Sequence, residues 1–190
     1  MRRAVFLDRD GVLNEAVVRE GKPYPPQSDT EVVMMANAPA ALAALEALGF
    51  FLVVVTNQPD VARGTQTRAM VDAINNLLRE RLPLDAFYVC DHDGDGCHCR
   101  KPKPGMLLDA ARDHGIDLAS SYLIGDRYRD IEAGQAAGVA SIWIDRGYRE
   151  PAPQPPYTRV TSLSDAAAHI AKRESELAAV IPFQDRTASR

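Results

Sequence analysis

Phe6-Leu7-Asp8-Arg9-Asp10-Gly11-Val12-Leu13-Asn14 is the stretch that decides how this chain is read. With Ala4-Val5 before it, a short apolar run at residues 4–7 ends on two carboxylates and then a glycine. A run of that length reads as a buried strand. In an open parallel sheet, ligands gather at the carboxyl ends of the strands. Two anions at a buried strand end are costly unless a cation or hydrogen bonds compensate them. A divalent metal would do so, and oxygen donors suit magnesium. Taken alone, Asp10-Gly11 is more simply a solvent-facing turn, and the rest of the chain has to decide.

Working outward, apolar runs alternate with helical patterns, which predicts an α/β fold. Strands are expected at 51–55, 86–89, 122–124 and 141–144, and helices at 39–48, 67–82, 105–114 and 130–137. The second helix is expected to bury Met70, Ile74, Leu77 and Leu78 on one face. Strands separated by helices imply a parallel sheet with right-handed crossovers. Residues 15–29, with Gly21, Pro23, Pro25 and Pro26, read as a loop or flap without regular structure. The division expected is a main domain at 1–150 that includes a loop at 90–99, a proline-rich connector at 151–156, a helical segment of the same domain at 157–181 (helix near 164–179) and a tail at 182–190.

The other strand ends repeat the theme of the first. The second strand runs into Thr56-Asn57-Gln58, placing a hydroxyl and backbone N–H groups where an anion could sit. The strand at 122–124 runs into Gly125-Asp126-Arg127, with Asp130 four residues beyond Asp126. Asp126 would bind the metal and Asp130 support it from behind, although helix capping explains both acids more simply. Arg100-Lys101-Pro102-Lys103-Pro104-Gly105 brings positive charge to the start of a helix. Three strand ends and one basic loop agree, and that agreement outweighs the simpler explanation of each. A second constellation is Cys90-x-His92-x4-Cys97-x-Cys99, the ligand set of a closed, structural tetrahedral zinc site. The alternative is a set of reduced cysteines near a surface histidine, and His98 is the rival of His92 as a ligand.

With 22 basic against 26 acidic side chains, the chain carries a net charge of −4. That argues against nucleic acid or an anionic membrane as partner. The expectation is a cytoplasmic monomer whose partner is a small anionic ligand.

Asp8-x-Asp10-Gly, Thr56 after an apolar strand, Lys101 and Gly125-Asp126-x3-Asp130 resemble the haloacid dehalogenase (HAD) superfamily in order and spacing, from about residue 4 to 145. The resemblance implies a Rossmann-like parallel sheet with helices on both faces. It makes Asp8 the nucleophile, Asp10 the acid/base, and Asp8, the Asp10 main-chain carbonyl and Asp126 the magnesium ligands. Thr56 and Lys101 would hold the transferring phosphoryl group. The zinc loop followed by Arg-Lys-Pro-Lys-Pro-Gly narrows the resemblance. It points to the subfamily of heptose bisphosphate phosphatases and histidinol-phosphate phosphatases, which lack a large cap domain. There Asn57, Arg100 and Arg127 would contact substrate. The expected activity is magnesium-dependent phosphomonoester hydrolysis through an aspartyl-phosphate on Asp8, on a heptose bisphosphate or a related sugar phosphate. Histidinol phosphate is the enzymatic alternative. A phosphoacceptor or interaction module is the non-enzymatic one, and it leaves Asp10 without a purpose.

Overall fold

A computed structural model describes residues 1–180. The tail expected from residue 182 lies outside the described residues, as does the last position of the helical segment. Six strands form one parallel sheet in the order β5-β4-β1-β6-β7-β8. They are β1 (Ala4–Leu7), β4 (Phe51–Asn57), β5 (Ala86–Cys90), β6 (Tyr122–Gly125), β7 (Ala140–Ile144) and β8 (Thr158–Val160). The first strand is central: Leu7 is in register with Val54 of β4 on one side and with Ile124 of β6 on the other. The ends of these three strands therefore lie side by side.

Alternation along β1 divides the core. Val5 and Leu7 join the cluster under α1 (Ala38–Ala47) and α5 (Leu163–Val180), through Leu42, Leu45, Ala166 and Ile170. Ala4 and Phe6 join the opposite cluster, with Met106, Leu107 and Ala110 of α3 (Gly105–His114) and Ala133 of α4 (Tyr128–Ala137). Burial on both faces explains why the central strands read as unbroken apolar runs rather than alternating ones.

Four features differ from the sequence expectation. Residues 15–29 contain regular structure: β2 (Val17–Arg19) and β3 (Lys22–Tyr24) form an antiparallel hairpin. Its turn uses Glu20 and Gly21, both at positive φ, and Pro23 is tolerated because the ribbon has free edges. The second helix, α2, spans Arg68–Arg81 and is capped by Thr67, whose side chain accepts from the Met70 N–H. Its buried face is Val71, Ile74, Asn75 and Leu78, rotated from the expected stripe because a polar residue, Asn75, points inward. Strand β8 follows the proline-rich connector and extends the sheet by pairing with β7. Helix α4 begins at Tyr128, two residues before the expected start, with Asp130 in its first turn.

Candidate active site and thiol cluster

The site is assembled from the ends of β1, β4 and β6. Asp8 follows β1 and Asp126 follows β6, while Asp130 projects from the first turn of α4. One oxygen from each lies within 4.8 Å of the others, and all three residues are buried. Close approach is possible because Gly11 stands opposite. A Cβ there would fall 1.8 Å from Asp126 Oδ2, and its φ of +92° suits glycine alone.

Lys101 reaches into the acids from the loop before α3. Its Nζ lies 2.8 Å from Asp8 Oδ1 and 2.5 Å from Asp130 Oδ1, and donates to the Val55 carbonyl at 2.8 Å. Burial works against this ammonium, yet Asp130 and Asp8 hold it above its ordinary value. Asn57 clasps the same residue by its backbone: Asn57 Nδ2 donates to Lys101 O, and Lys101 N donates to Asn57 Oδ1, both at 3.0 Å.

One ammonium against three carboxylates leaves the buried cluster with surplus negative charge. Burial pushes the Asp8 carboxyl up to about 6, with Asp130 and Asp10 adding to the rise and Lys101 opposing it. Burial, then Asp8 and Asp130, raise Asp126 well above the usual carboxylate range. Asp126 Oδ2 accepts from the Tyr148 hydroxyl at 2.9 Å. Its Oδ1 is buried without a hydrogen-bond partner among the described residues. An orphaned carboxylate oxygen beside two more hard oxygen donors fits a small divalent cation.

Asp10 is oriented differently. Its side chain lies outside the acid cluster and accepts four N–H bonds, two from Arg9, one from Asn14 and one from Gln58. Asp10 and Asp8 nevertheless line the same cleft, with Thr56, Asn57, Lys101, Arg127 and Asp130. Pro23 and Tyr24 of the hairpin, and Pro25 just after it, line the same cleft. Arg127 is paired at the rim with Glu150, through a 2.8 Å contact from Nε and a second from Nη2. Arg100 donates to the His92 carbonyl at 2.9 Å and faces Asp93.

The four residues Cys90, His92, Cys97 and Cys99 converge as expected. Cys90 Sγ lies 3.7 Å from His92 Nδ1, 3.7 Å from Cys97 Sγ and 3.2 Å from Cys99 Sγ, and Cys99 Sγ lies 3.4 Å from His92 Nδ1. Tetrahedral zinc with sulfur at about 2.3 Å places its sulfurs roughly 3.8 Å apart, so the donor set fits that ion. His98 points elsewhere: its Nε2 contacts Asp109 Oδ2 at 2.9 Å. Lys103 Nζ donates to the Cys97 carbonyl at 2.8 Å, tying the cluster to the segment that carries Lys101.

Sequence reading missed the groups that hold the site's shape: Arg9, Gln58, Asn75, Tyr148 and Glu150. Arg9 alone left a signal, since an arginine between two acids beside a buried strand has obvious partners.

Sheet order, strand-end acids and the lysine together define a HAD-type hydrolase site, and comparison with known proteins agrees. A HAD-hydrolase-like family model matches residues 98–170. The chain is 38% identical over 151 residues to the D-glycero-beta-D-manno-heptose-1,7-bisphosphate 7-phosphatase of Pasteurella multocida, covering 73% of this chain and 79% of that one. It is equally identical to the enzyme of the same name from Escherichia coli K12, covering 76% of that protein. The crystal structure of D,D-heptose 1,7-bisphosphate phosphatase from B. bronchiseptica, complexed with magnesium and phosphate, superposes with a TM-score of 0.78 at 29% identity, covering 90% of this chain and 99% of that one. The chain belongs to the HAD-like hydrolases. Within them it is a phosphatase, which removes the phosphoacceptor and interaction-module readings. Among the described residues no helix is long and apolar enough to cross a membrane.

Proposed function

We propose that the chain hydrolyses a sugar bisphosphate through an aspartyl-phosphate on Asp8, with a heptose 1,7-bisphosphate as the first candidate. The observation that carries the mechanism is the meeting of Asp8, Asp126 and Asp130, with Lys101 bound to Asp8 and Asp130 and with Asp10 and Thr56 on the same cleft. Asp8, the Asp10 main-chain carbonyl and Asp126 would hold magnesium, with Asp130 supporting them from behind. When bound, the ion supplies the positive charge that lets a carboxylate approach a phosphate dianion.

The chain's own residues do the rest. The Asp8 carboxylate attacks phosphorus, and the bond from phosphorus to the sugar oxygen breaks. Asp10, protonated at an oxygen that one of its four N–H donors has released, gives that proton to the sugar oxygen, releasing an alcohol. Asp10 then takes a proton from water, whose oxygen attacks the acyl phosphate and returns Asp8 with free phosphate. Lys101 and the Thr56 hydroxyl stabilise charge on the equatorial oxygens. Asn57 serves this arrangement by fixing the Lys101 backbone. The four-residue thiol cluster holds zinc as a structural ion and shapes the loop that ends at Lys101.

The rim favours a second anionic group on the substrate. Lys22, Arg63, Arg100, Arg127 and Arg129 line it, against the acids Asp60 and Glu150. Arg63 is paired with Asp60 and Asp93, Arg100 faces Asp93 and Arg127 is paired with Glu150. The uncompensated charge is therefore that of Lys22 and Arg129, which suits a second phosphate better than the cationic end of histidinol phosphate. A monomeric, cytoplasmic enzyme remains part of the proposal. Phosphate release should be measured with magnesium on heptose 1,7-bisphosphate, histidinol phosphate and other sugar phosphates, with Asp8→Asn as control. The expected outcome is selectivity for a bisphosphate and loss of at least about 10⁴-fold in the variant. A preference for histidinol phosphate would overturn the substrate, and full activity in Asp8→Asn the mechanism.

A further inference from the structure

Gln58 stands one residue past β4, is 1% exposed, and joins two groups that the mechanism uses. Its Nε2 donates one hydrogen to Asp10 Oδ2 at 2.8 Å and the other to Thr56 Oγ1 at 3.0 Å. An amide nitrogen carries two hydrogens, so both are committed. The Gln58 backbone is fixed as well, donating to the Cys90 carbonyl at 2.7 Å.

The other donors to Asp10 have a different origin. Arg9, at 3.1 and 2.9 Å, and Asn14, at 3.0 Å, belong to the same loop as Asp10 and move with it. Gln58 approaches from the neighbouring strand, which also carries Thr56. It therefore ties the Asp10 carboxyl to the strand end that carries Thr56. By occupying an acceptor position on Thr56, it also leaves that hydroxyl's proton free for the cleft.

We infer that Gln58 is a positioning residue that places the Asp10 carboxyl for proton transfer to the leaving oxygen, using the Thr56 hydroxyl as its second anchor. The inference rests on Asp10 being the acid/base, as proposed above. Proton transfer requires hydrogen-bond reach between acid and leaving oxygen. An alkoxide needs that proton as the phosphorus–oxygen bond breaks, whereas p-nitrophenolate departs without it. A fault in the placement of Asp10 therefore shows as a dependence on the leaving group. A general loosening of the site would slow both kinds of ester alike.

The test compares kcat/KM for heptose 1,7-bisphosphate and p-nitrophenyl phosphate in the magnesium- and zinc-loaded parent, Gln58→Met, Gln58→Leu and Asp10→Asn. Each variant must melt close to the parent, and two apolar replacements guard against one failing to fold. The expected loss in the Gln58 variants is about 20-fold on the sugar ester and about twofold on the aryl ester, a fraction of what a general acid contributes. Asp10→Asn should show the same split, larger. Adding Gln58→Met to Asp10→Asn should widen it no further. Equal losses on both esters, or no loss on either, overturn the inference while Asp10→Asn keeps its split. No split in Asp10→Asn itself overturns the acid/base reading, and this inference with it.

Discussion

The acid cluster and the thiol cluster hold their donors by opposite means. Asp8 and Asp126 are far apart in sequence and meet because Leu7 and Ile124 are in register on adjacent strands. Their residues are almost fully buried, and the core beneath them sets their positions. Cys90, His92, Cys97 and Cys99 lie within ten residues, from the last position of β5 into the loop that follows. Of these, Cys90 alone is buried, and the His92 side chain is 58% exposed. One site is set by the sheet, while the other sits largely on an exposed loop that a bound ion would brace. Lys101 belongs to both, with its ammonium in the first and its backbone just past the second.

The comparison breaks most visibly if zinc and magnesium are removed separately. Withdrawing magnesium should abolish turnover, restore it fully on re-addition, and leave the protease sensitivity of residues 91–100 unchanged. Cys99→Ser, or a zinc chelator at constant magnesium, should cost about 10²-fold in activity through misplacement of Lys101. It should also open that loop to proteolysis while far-ultraviolet circular dichroism stays near the parent's. Equal sensitivity of the loop in both experiments would show that the two regions are not separately built.

A smaller effect separates the sites by pH. In the magnesium-free, zinc-loaded protein Asp8 titrates at about 6 rather than 3.8, so the folded chain binds this proton more tightly than the unfolded one. The stabilisation is complete below about pH 3.8 and is lost as pH rises past 6. Asp126 shifts in the same direction. The melting temperature should therefore fall by on the order of 5 °C between pH 5 and 7, and saturating magnesium should flatten the slope. The thiol cluster carries the opposite sign, since zinc leaves as its ligands take up protons. A rise in melting temperature over the same range would show that the thiol cluster dominates. The smallest expected change is in His98→Ala. Zinc content measured by mass spectrometry should stay at one ion per chain, while His92→Ala should weaken its retention.

The parts that were legible in the sequence are those with one physical explanation. Residues 51–55 read as a central strand because five consecutive apolar residues have to be covered on both faces. Asp8 and Asp126 read as site residues because acids after such strands are expensive without a purpose. The hairpin was illegible because its prolines argue for a loop, and a three-residue ribbon needs little periodicity. Asn75 and Gln58 were illegible for another reason. A buried amide is the same letter as a solvated one, and only the fold reveals that Asn75 faces Arg9 and that Gln58 faces Asp10.

The hairpin carries one more consequence. It is a local excursion between β1 and α1, fastened to the body where the Arg149 N–H donates to the Gly21 carbonyl at 2.7 Å. None of the strands that carry the acids runs through it. A lineage could therefore exchange this ribbon, and with it the wall against which a ligand leans, without renegotiating a single atom of the reaction centre. Only part of the wall is free in this way, since Arg100 and Arg127 adjoin Lys101 and Asp126 and stay tied to the reaction centre.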